Sequence, residues 1–459
     1  MHNQYLFVLA ALFPIILVTT IPIVKSLKYG ENIDIFEPPW FVAAGLLIGT
    51  FIRTCFLIFD PSADVKMHQV LGPFKPEDVL PYGLLAINVG IFFWWAGYNS
   101  PIKVKLHEQK RRFFSVKSFK STLIVLGIIS IGMLLVYLSR INFFNTLTSY
   151  GISGKRYISV NDVDGNTTVF MQYKMGSEFI ATIAIVFAAW VFNRPTSSSK
   201  QKIVLLTLIL LGCLIPFISS SRNTILYLIL TILLTFHYQR QRIPIRNILT
   251  FMLLGFIMLG FMGNLRKQAY STASGTTIEK TGTRNATLHT IAYSAHFVGV
   301  GKTSVILAQV PEKQNYLYGQ SYLSIFYAPI PRSMWHNKPI VRIGRFVGVT
   351  LFERNTLSGV PPGLIGESYL NFGWVGIIII MYVFGIFCRY IYTRLILNRD
   401  PSDFFSIALY GILWVFLLDV LVTDFTGNVM RVLRFLIPLA LIYSTSVIAE
   451  NKIYKFRQP

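Results

Sequence analysis

Apolar segments recur along the chain from residue 4 to residue 449, and charged residues cluster in the intervals between them. Most of these segments are close to the ~20 residues that an α-helix needs to cross the hydrocarbon core of a bilayer. The pattern therefore predicts an all-α polytopic membrane protein with about eleven transmembrane helices. The predicted spans are residues 4–24, 39–59, 80–98, 121–139, 176–193, 203–219, 223–238, 248–264, 364–388, 403–421 and 432–449.

The charged intervals indicate the orientation of these spans. Residues 103–120 contain seven Lys and Arg residues, and short basic loops stay on the cytoplasmic side of a membrane. Alternation of the spans then places five other segments inside, and each of them is basic, from the loop at Lys25 to the tail at Lys452. We expect the amino end outside and the carboxyl end in the cytoplasm.

Composition agrees with this pattern. The chain is 53% hydrophobic and only 14% charged, which favours one integral membrane domain over residues 1–459. The net charge of +22 is typical of nucleic-acid binding, but topology already explains the cations in the short loops, so we expect no nucleic-acid partner. Cys55, Cys213 and Cys388 lie in apolar runs without metal-ligand spacing, and we predict chemistry without a metal ion.

Residues 265–363 form the longest predicted outer loop, far longer than an ordinary connector. They contain eleven Lys and Arg residues and three Glu residues, a surplus of eight positive charges. Anionic lipid headgroups explain any single cation, whereas the whole set favours a phosphate-bearing ligand, because guanidinium groups bind two oxygens at once. Within the loop, residues 286–309 predict an apolar helix; its VGVGKTS stretch lacks the first glycine of a phosphate-binding P-loop.

Three further stretches carry a family resemblance: SSSRNTILYLIL at 219–230, YGQSYLSIFYAPIPRSMWHNKP at 318–339 and GLIGESYLNFGWVGIIIIMYVFGIF at 363–387. In their order and spacing they resemble the Wzy-type O-antigen and oligosaccharide repeat-unit polymerases. The large outer loop before the last three helices is also similar. The resemblance therefore extends over most of the chain.

This resemblance implies a GT-C-like glycosyltransferase of the bacterial cytoplasmic membrane. It would move a growing glycan from a polyprenyl-pyrophosphate-linked donor onto a second lipid-linked repeat unit, building O-antigen, capsule or exopolysaccharide. A chain-length regulator and a flippase are further implied partners beside membrane lipids, and no cofactor is implied. Two alternatives stay open: an O-antigen-ligase-like transferase with the same donor, and a polytopic polysaccharide or lipid transporter.

Such a transfer needs cations for the departing pyrophosphate and a base for the proton of the attacking hydroxyl. We predict Glu367 as the general base, because a carboxylate at the outer start of a span needs a partner or a water-filled cavity; pairing with an arginine is the alternative. Arg332, in a proline-containing turn, and Arg266, just after the span 248–264, are the predicted catalytic cations. A structural turn and a contact with lipid phosphate are their respective alternatives.

Six other residues are predicted to bind substrate: Arg222, Lys338, His336, Arg342, Arg345 and Arg53. Arg53 lies well inside a span, where a charge costs ~2.5 to 3.5 kcal/mol on insertion scales, so it should face the helix bundle. Two reserve carboxylates, Asp419 and Asp424, lie near the outer end of another span. We expect Arg431 or Arg434 to neutralise them structurally.

Overall fold

A computed structural model describes residues 2–29, 33–59, 71, 74–101, 112–140, 173–218, 222–244, 246–247, 250, 299–330, 334–335, 337–339, 343–353, 359–400 and 402–449. The longer helices are α1 (His2–Tyr29), α2 (Pro38–Leu46), α3 (Arg53–Phe59), α4 (Pro76–Asn99), α5 (Val116–Arg140), α6 (Phe179–Phe192), α7 (Ser199–Ile218), α8 (Arg222–Gln239), α9 (Val300–Gln309), α10 (Gln320–Tyr327), α11 (Ile343–Thr350), α12 (Gly363–Tyr392), α13 (Phe404–Val420) and α14 (Phe425–Ser446). Two π-helical segments join or extend them, at Leu47–Ile52 and Thr393–Leu397. Two strands, β1 (Arg112–Phe114) and β2 (Val447–Ala449), complete the described elements.

Among the described residues, seven helices are long and apolar enough to cross a membrane, which confirms a helical polytopic membrane protein. They are Gln4–Lys28, Pro38–Phe59, Pro76–Asn99, Val116–Ser139, Tyr173–Phe192, Gly363–Leu397 and Phe425–Ser446. α8 and α13 are apolar but shorter than these seven helices. α7 covers most of the predicted span 203–219. The predicted span 248–264 lies almost wholly outside the described residues. The number of eleven spans therefore stays a prediction.

The end of the last predicted span differs from the prediction. Residues 447–449 form β2 instead of continuing the helix, and they pair antiparallel with β1, Phe113 lying opposite Ile448. Val447 and Ile448 are β-branched and suit a strand where a partner strand is at hand. An apolar run alone did not distinguish the two conformations.

The chain divides into two compact units. The first takes the described residues of Met1–Lys103, Gly282–Arg394 and Trp414–Arg431. The second takes those of Val104–Thr281, Leu395–Leu413 and Val432–Pro459.

In the first unit, α4 provides the surface on which α9 and α12 pack. Its glycines recur every seven residues, at Gly83, Gly90 and Gly97. A Cβ atom at Gly97 would lie 2.1 Å from the Tyr382 carbonyl oxygen, and one at Gly83 would lie 2.0 Å from Ser304 Oγ. Small residues thus let the backbones approach closely, as at many transmembrane helix interfaces.

α12 is broken at Gly373, which has φ 63° and ψ −147°. Glycine adopts this left-handed φ without the Cβ clash that other residues meet. The break frees carbonyl groups that would be costly to leave unpaired in a membrane. The amides of Leu317 and Tyr318 bind two of them, the carbonyl oxygens of Leu370 at 3.0 Å and Asn371 at 3.1 Å.

The break separates two halves of α12 with different surroundings. All residues from 363 to 371 are buried. Beyond Gly373, large apolar side chains such as Val375 and Ile379 are exposed. The first half is therefore enclosed by protein, and the second half has the outward apolar face of a helix in lipid.

The second unit contains α5 to α8 and the strand pair. α6 is buried from Ile180 to Val191, whereas α5 exposes apolar side chains such as Ile124 and Ile128. At the end of β1, the ring of Phe114 packs edge-on against Phe404, with 5.2 Å between the ring centroids.

Polar contacts within each unit join helix ends that the predicted alternation places on one side. In the first unit, Lys25 forms an ion pair with Glu37, and the Tyr98 hydroxyl donates to the same carboxylate at 2.9 Å. In the second unit, Arg399 donates to the Tyr238 carbonyl oxygen at 3.1 Å. Each of these contacts joins segments predicted to lie inside.

Candidate functional site

Glu367 lies in the first half of α12 and is fully buried. Ser321 Oγ of α10 donates a hydrogen bond to Glu367 Oε1 at 2.7 Å, and the backbone amide of Phe425, at the start of α14, donates to Oε2 at 2.8 Å. These described donors are neutral groups rather than an arginine. The Glu367 carboxylate therefore has the partner that the sequence predicts, in the form of a hydroxyl group and a backbone amide.

Asn371, one turn beyond Glu367, fixes the direction of these hydrogen bonds. Its Nδ2 donates to Ser321 Oγ at 2.7 Å and to the Glu367 carbonyl oxygen at 2.8 Å. Because Ser321 Oγ accepts from Asn371, its single proton is directed to Glu367. Asn371 Oδ1 in turn accepts from the Gly319 amide at 3.0 Å. The arrangement presents two donors to the carboxylate, which suits its ionised form.

The backbone of α10 is held in the same polar cluster. Thr426 Oγ1 donates to the Ser321 carbonyl oxygen at 2.9 Å, and Ser324 Oγ lies 2.7 Å from that oxygen. The hydroxyls of Ser324 and Thr426 are 2.8 Å apart. We call Glu367, Asn371, Ser321, Ser324 and Thr426 the Glu367 cluster; it joins α10, α12 and α14.

Three buried cations, Lys302, Arg53 and Lys338, lie in the same unit. Lys302 Nζ on α9 donates to the Val422 carbonyl oxygen at 3.2 Å, three residues before Phe425, whose amide binds Glu367. Burial, reinforced by the nearby Arg53 guanidinium, lowers the pKa of Lys302 to about 7. Arg53 begins α3 directly after a π-helical segment and is itself buried, so the prediction that it faces the bundle is confirmed.

Lys338 also has a described role. Its Nζ donates to the carbonyl oxygens of Ala328 at 2.9 Å and Ile330 at 2.7 Å, just beyond the carboxyl end of α10. A cation at this end also interacts favourably with the helix dipole. Lys338 therefore fixes the end of α10, and a contact of its ammonium with substrate stays a prediction.

The remaining predicted site residues are only partly described. Arg345 is exposed on α11, and Arg222 begins α8. Arg332, Arg266, His336 and Arg342 lie outside the described residues.

The reserve carboxylates have structural roles. Asp419 forms an ion pair with Arg431, which confirms the predicted neutralisation. Asp424 Oδ2 accepts from the Gly427 amide at 2.9 Å in the first turn of α14, a typical helix cap. Arg434, the other predicted partner, pairs with Glu178 at 3.1 Å.

Sequence reasoning missed four members of the Glu367 cluster. Asn371 lies four residues after Glu367, on the same helix face, and Ser321 and Ser324 are separated by one turn, so both pairs could have been recognised as polar stripes. Thr426 gives no such signal. Lys302 lies in VGVGKTS, but the P-loop pattern tested on that stretch does not connect it with Glu367.

The described residues include no group of three or more His, Cys, Asp or Glu side chains that could hold a metal ion. The second unit has a cavity of about 420 Å³, whose lining is mainly apolar and includes Lys202 and Arg240. The Arg240 guanidinium already donates to the carbonyl oxygens of Arg194 and Pro195, both at 2.8 Å. Since no carboxylate lies in this described lining, the Glu367 cluster is the better candidate for proton transfer.

Residues 138–395, more than half of the 459-residue chain, match the family described as a domain of unknown function, DUF8712. No curated protein matches the chain, and no solved structure matches it.

Proposed function

The chain belongs to the DUF8712 family, and we propose that it is a GT-C-like membrane glycosyltransferase that polymerises polyprenyl-pyrophosphate-linked oligosaccharide repeat units. The site lies at the outer face of the bacterial cytoplasmic membrane, with the amino end of the chain outside and its carboxyl end inside. The resemblance to Wzy-type polymerases supports this proposal, as does the basic surplus of residues 265–363.

The observation that carries the proposal is the buried carboxylate of Glu367, held by neutral donors next to the predicted outer loop. A desolvated carboxylate without a cation in contact is a stronger base than one in an ion pair. Ser321 of α10 belongs to that loop, so the loop and the carboxylate form one site. The Glu367 cluster is therefore arranged to accept a proton from a bound hydroxyl.

The proposed reaction is a substitution at the anomeric carbon of the donor glycan. The acceptor hydroxyl forms the new glycosidic bond, its proton passes to Glu367, and the bond to the pyrophosphate oxygen breaks. Arg332 and Arg266 stabilise the negative charge of the departing polyprenyl pyrophosphate. Arg222, His336, Arg342, Arg345 and Arg53 bind donor or acceptor, and Lys338 positions α10.

The test is the elongation of lipid-linked repeat units by purified protein, comparing Glu367→Gln with Glu353→Gln. Removal of a general base typically costs 10²- to 10⁴-fold in rate, so we expect a loss of about 100-fold or more in E367Q. Glu353 is an exposed carboxylate in an ion pair with Lys313, 2.5 Å away, and is the matched control with unchanged elongation. Wild-type elongation by folded E367Q would overturn the assignment of the base.

A deletion strain tests the reaction class. A polymerase defect leaves single-repeat glycans on the carrier lipid, whereas loss of an O-antigen-ligase-like transferase leaves long lipid-linked polymer. Accumulation of long polymer would refute the polymerase proposal.

The broken helix α12 favours a transporter as the second candidate, because discontinuous helices form the substrate sites of many transporters. Proteoliposomes separate the two functions. A transporter moves lipid-linked glycan across the bilayer without lengthening it, and a polymerase lengthens it without movement.

A further inference from the structure

In α10 the polar face is buried and the apolar face is exposed, the reverse of a helix on the surface of a water-soluble protein. Its polar residues Ser321 and Ser324 are buried against the Glu367 cluster. Its apolar residues Leu323 and Phe326 are 56% and 79% exposed. A helix in water buries its apolar side, so this arrangement calls for an apolar medium outside.

The backbone around α10 is also satisfied without water. Before the helix, the amides of Leu317, Tyr318 and Gly319 all donate to α12. After it, Lys338 Nζ donates to the carbonyl oxygens of Ala328 and Ile330. Helix ends on an aqueous surface leave such groups to solvent, whereas hydrocarbon requires internal partners.

The exposed face of α10 is continuous with the outward face of α12. Gly319 brings the chain so close to α12 that a Cβ atom there would lie 3.2 Å from the Phe372 ring. The ring of Tyr322 stacks on Phe372 with 6.3 Å between centroids. Phe372, Trp374 and Val375 are exposed in turn along α12, a candidate membrane span. The two helices thus share one apolar surface.

We infer that α10 is embedded at the membrane boundary and that its face of Leu323 and Phe326, together with Met334 beyond the helix, contacts lipid acyl chains. This goes beyond the proposed function, because it holds whatever reaction Glu367 serves. Residues 318–330, with Met334 and Trp335, then form a wall between hydrocarbon and the Glu367 cluster instead of an aqueous loop.

Spin labelling in proteoliposomes tests this inference. Replacing Cys55, Cys213 and Cys388 by alanine gives a background for single nitroxide labels at Phe326→Cys and, independently, Met334→Cys. Val375→Cys on α12 is the lipid control, and Lys313→Cys, on an exposed side chain before α10, is the water control. Molecular oxygen concentrates in lipid and a nickel chelate in water, so their relative collision rates report the medium.

We expect the labels at 326 and 334 to collide more with oxygen than with nickel, as at 375, and the label at 313 to show the reverse. A nickel-accessible label at 326 and 334 would refute the inference in favour of an aqueous loop. Protection from both reagents would also refute it, since the face would then be covered by protein, either another segment or a second copy. The two positions serve as checks on each other if one variant does not fold.

Discussion

Two buried glutamates lie at opposite ends of the first unit and are stabilised differently. Glu37 accepts from Lys25 and from the Tyr98 hydroxyl, and Arg389 lies 4.0 Å away. Glu367 accepts only from Ser321 and the Phe425 amide among its described donors. Cations surround the first carboxylate, whereas hydroxyl and amide dipoles hold the second.

The difference bears on chemistry. A carboxylate in an ion pair is held against a cation, so a substrate hydroxyl competes with that cation for the carboxylate oxygens. Neutral donors orient a carboxylate without placing a counter-charge against it, which suits a group that accepts a proton from substrate. Glu37 therefore has the features of a structural ion pair that joins helices, and Glu367 has those of a reactive carboxylate.

The largest expected effect comes from a steric clash between α4 and α12 near Glu37. In Gly97→Leu the new side chain meets the Tyr382 carbonyl oxygen, and backbone cannot rotate away, so we expect a loss of about 3 kcal/mol or more in stability. The measurement is the thermal unfolding midpoint in detergent. Gly127→Leu is the control, because a Cβ atom there meets nothing within 4 Å. Equal midpoints for the two variants would show that the close α4–α12 approach is wrong.

A smaller loss of stability is expected when the negative charge of Glu37 is removed. Glu37→Gln leaves Lys25 and Arg389 without their counter-charge, and because both are partly exposed we expect a loss of about 1 to 2 kcal/mol. Elongation per folded molecule should stay at the wild-type level, in contrast to E367Q. If E37Q lost elongation as severely as E367Q, the distinction between a structural Glu37 and a reactive Glu367 would be wrong.

The smallest effect, counted per pH unit, is a pH dependence of stability at the Glu367 end of the first unit. The pKa of Lys302 is about 7 in the folded protein and near 10.5 in an unfolded chain, so the unfolded chain binds more protons between these values. Stability should therefore rise with pH above about 7, by less than about 1.4 kcal/mol per pH unit. Unfolding midpoints between pH 6.5 and 9 should show this rise in wild type and in Lys313→Met.

Lys302→Met should lack that rise, because the titrating ammonium is gone. An unchanged slope in K302M would mean that Lys302 is hydrated and that this end of the unit is not dry.

Several of these features follow from the sequence, and others depend on tertiary contacts. The burial of Arg53 was predictable because a charge inside a span has few tolerable surroundings, and the Asp419–Arg431 pair was predictable for the same reason. Glu367 was recognised as needing a partner. Its partner Ser321, 46 residues earlier in the chain, was not, because that contact requires the break at Gly373 and the insertion of α10.

The polarity of α10 shows a second reason for such misses. Hydropathy assigns a short apolar segment in a long loop to the aqueous side or to a cap, and it contains no information on which face turns outward. Only the positions of Ser321 and Ser324 relative to Glu367 reveal the inversion. The glycines of α4, by contrast, have a visible seven-residue spacing in the sequence. Their role in close helix packing follows only from the position of α12 beside them.

The break in α12 has a consequence for biosynthesis. The residues after Gly373, through Leu397, number about two dozen and suffice alone as a stop or start segment for the insertion machinery. The half-helix with Glu367 and Asn371 need not partition into lipid during synthesis. It can reach its place when α14 emerges from the ribosome and supplies the Phe425 amide, so that the reactive end is completed only after residue 425 has been made.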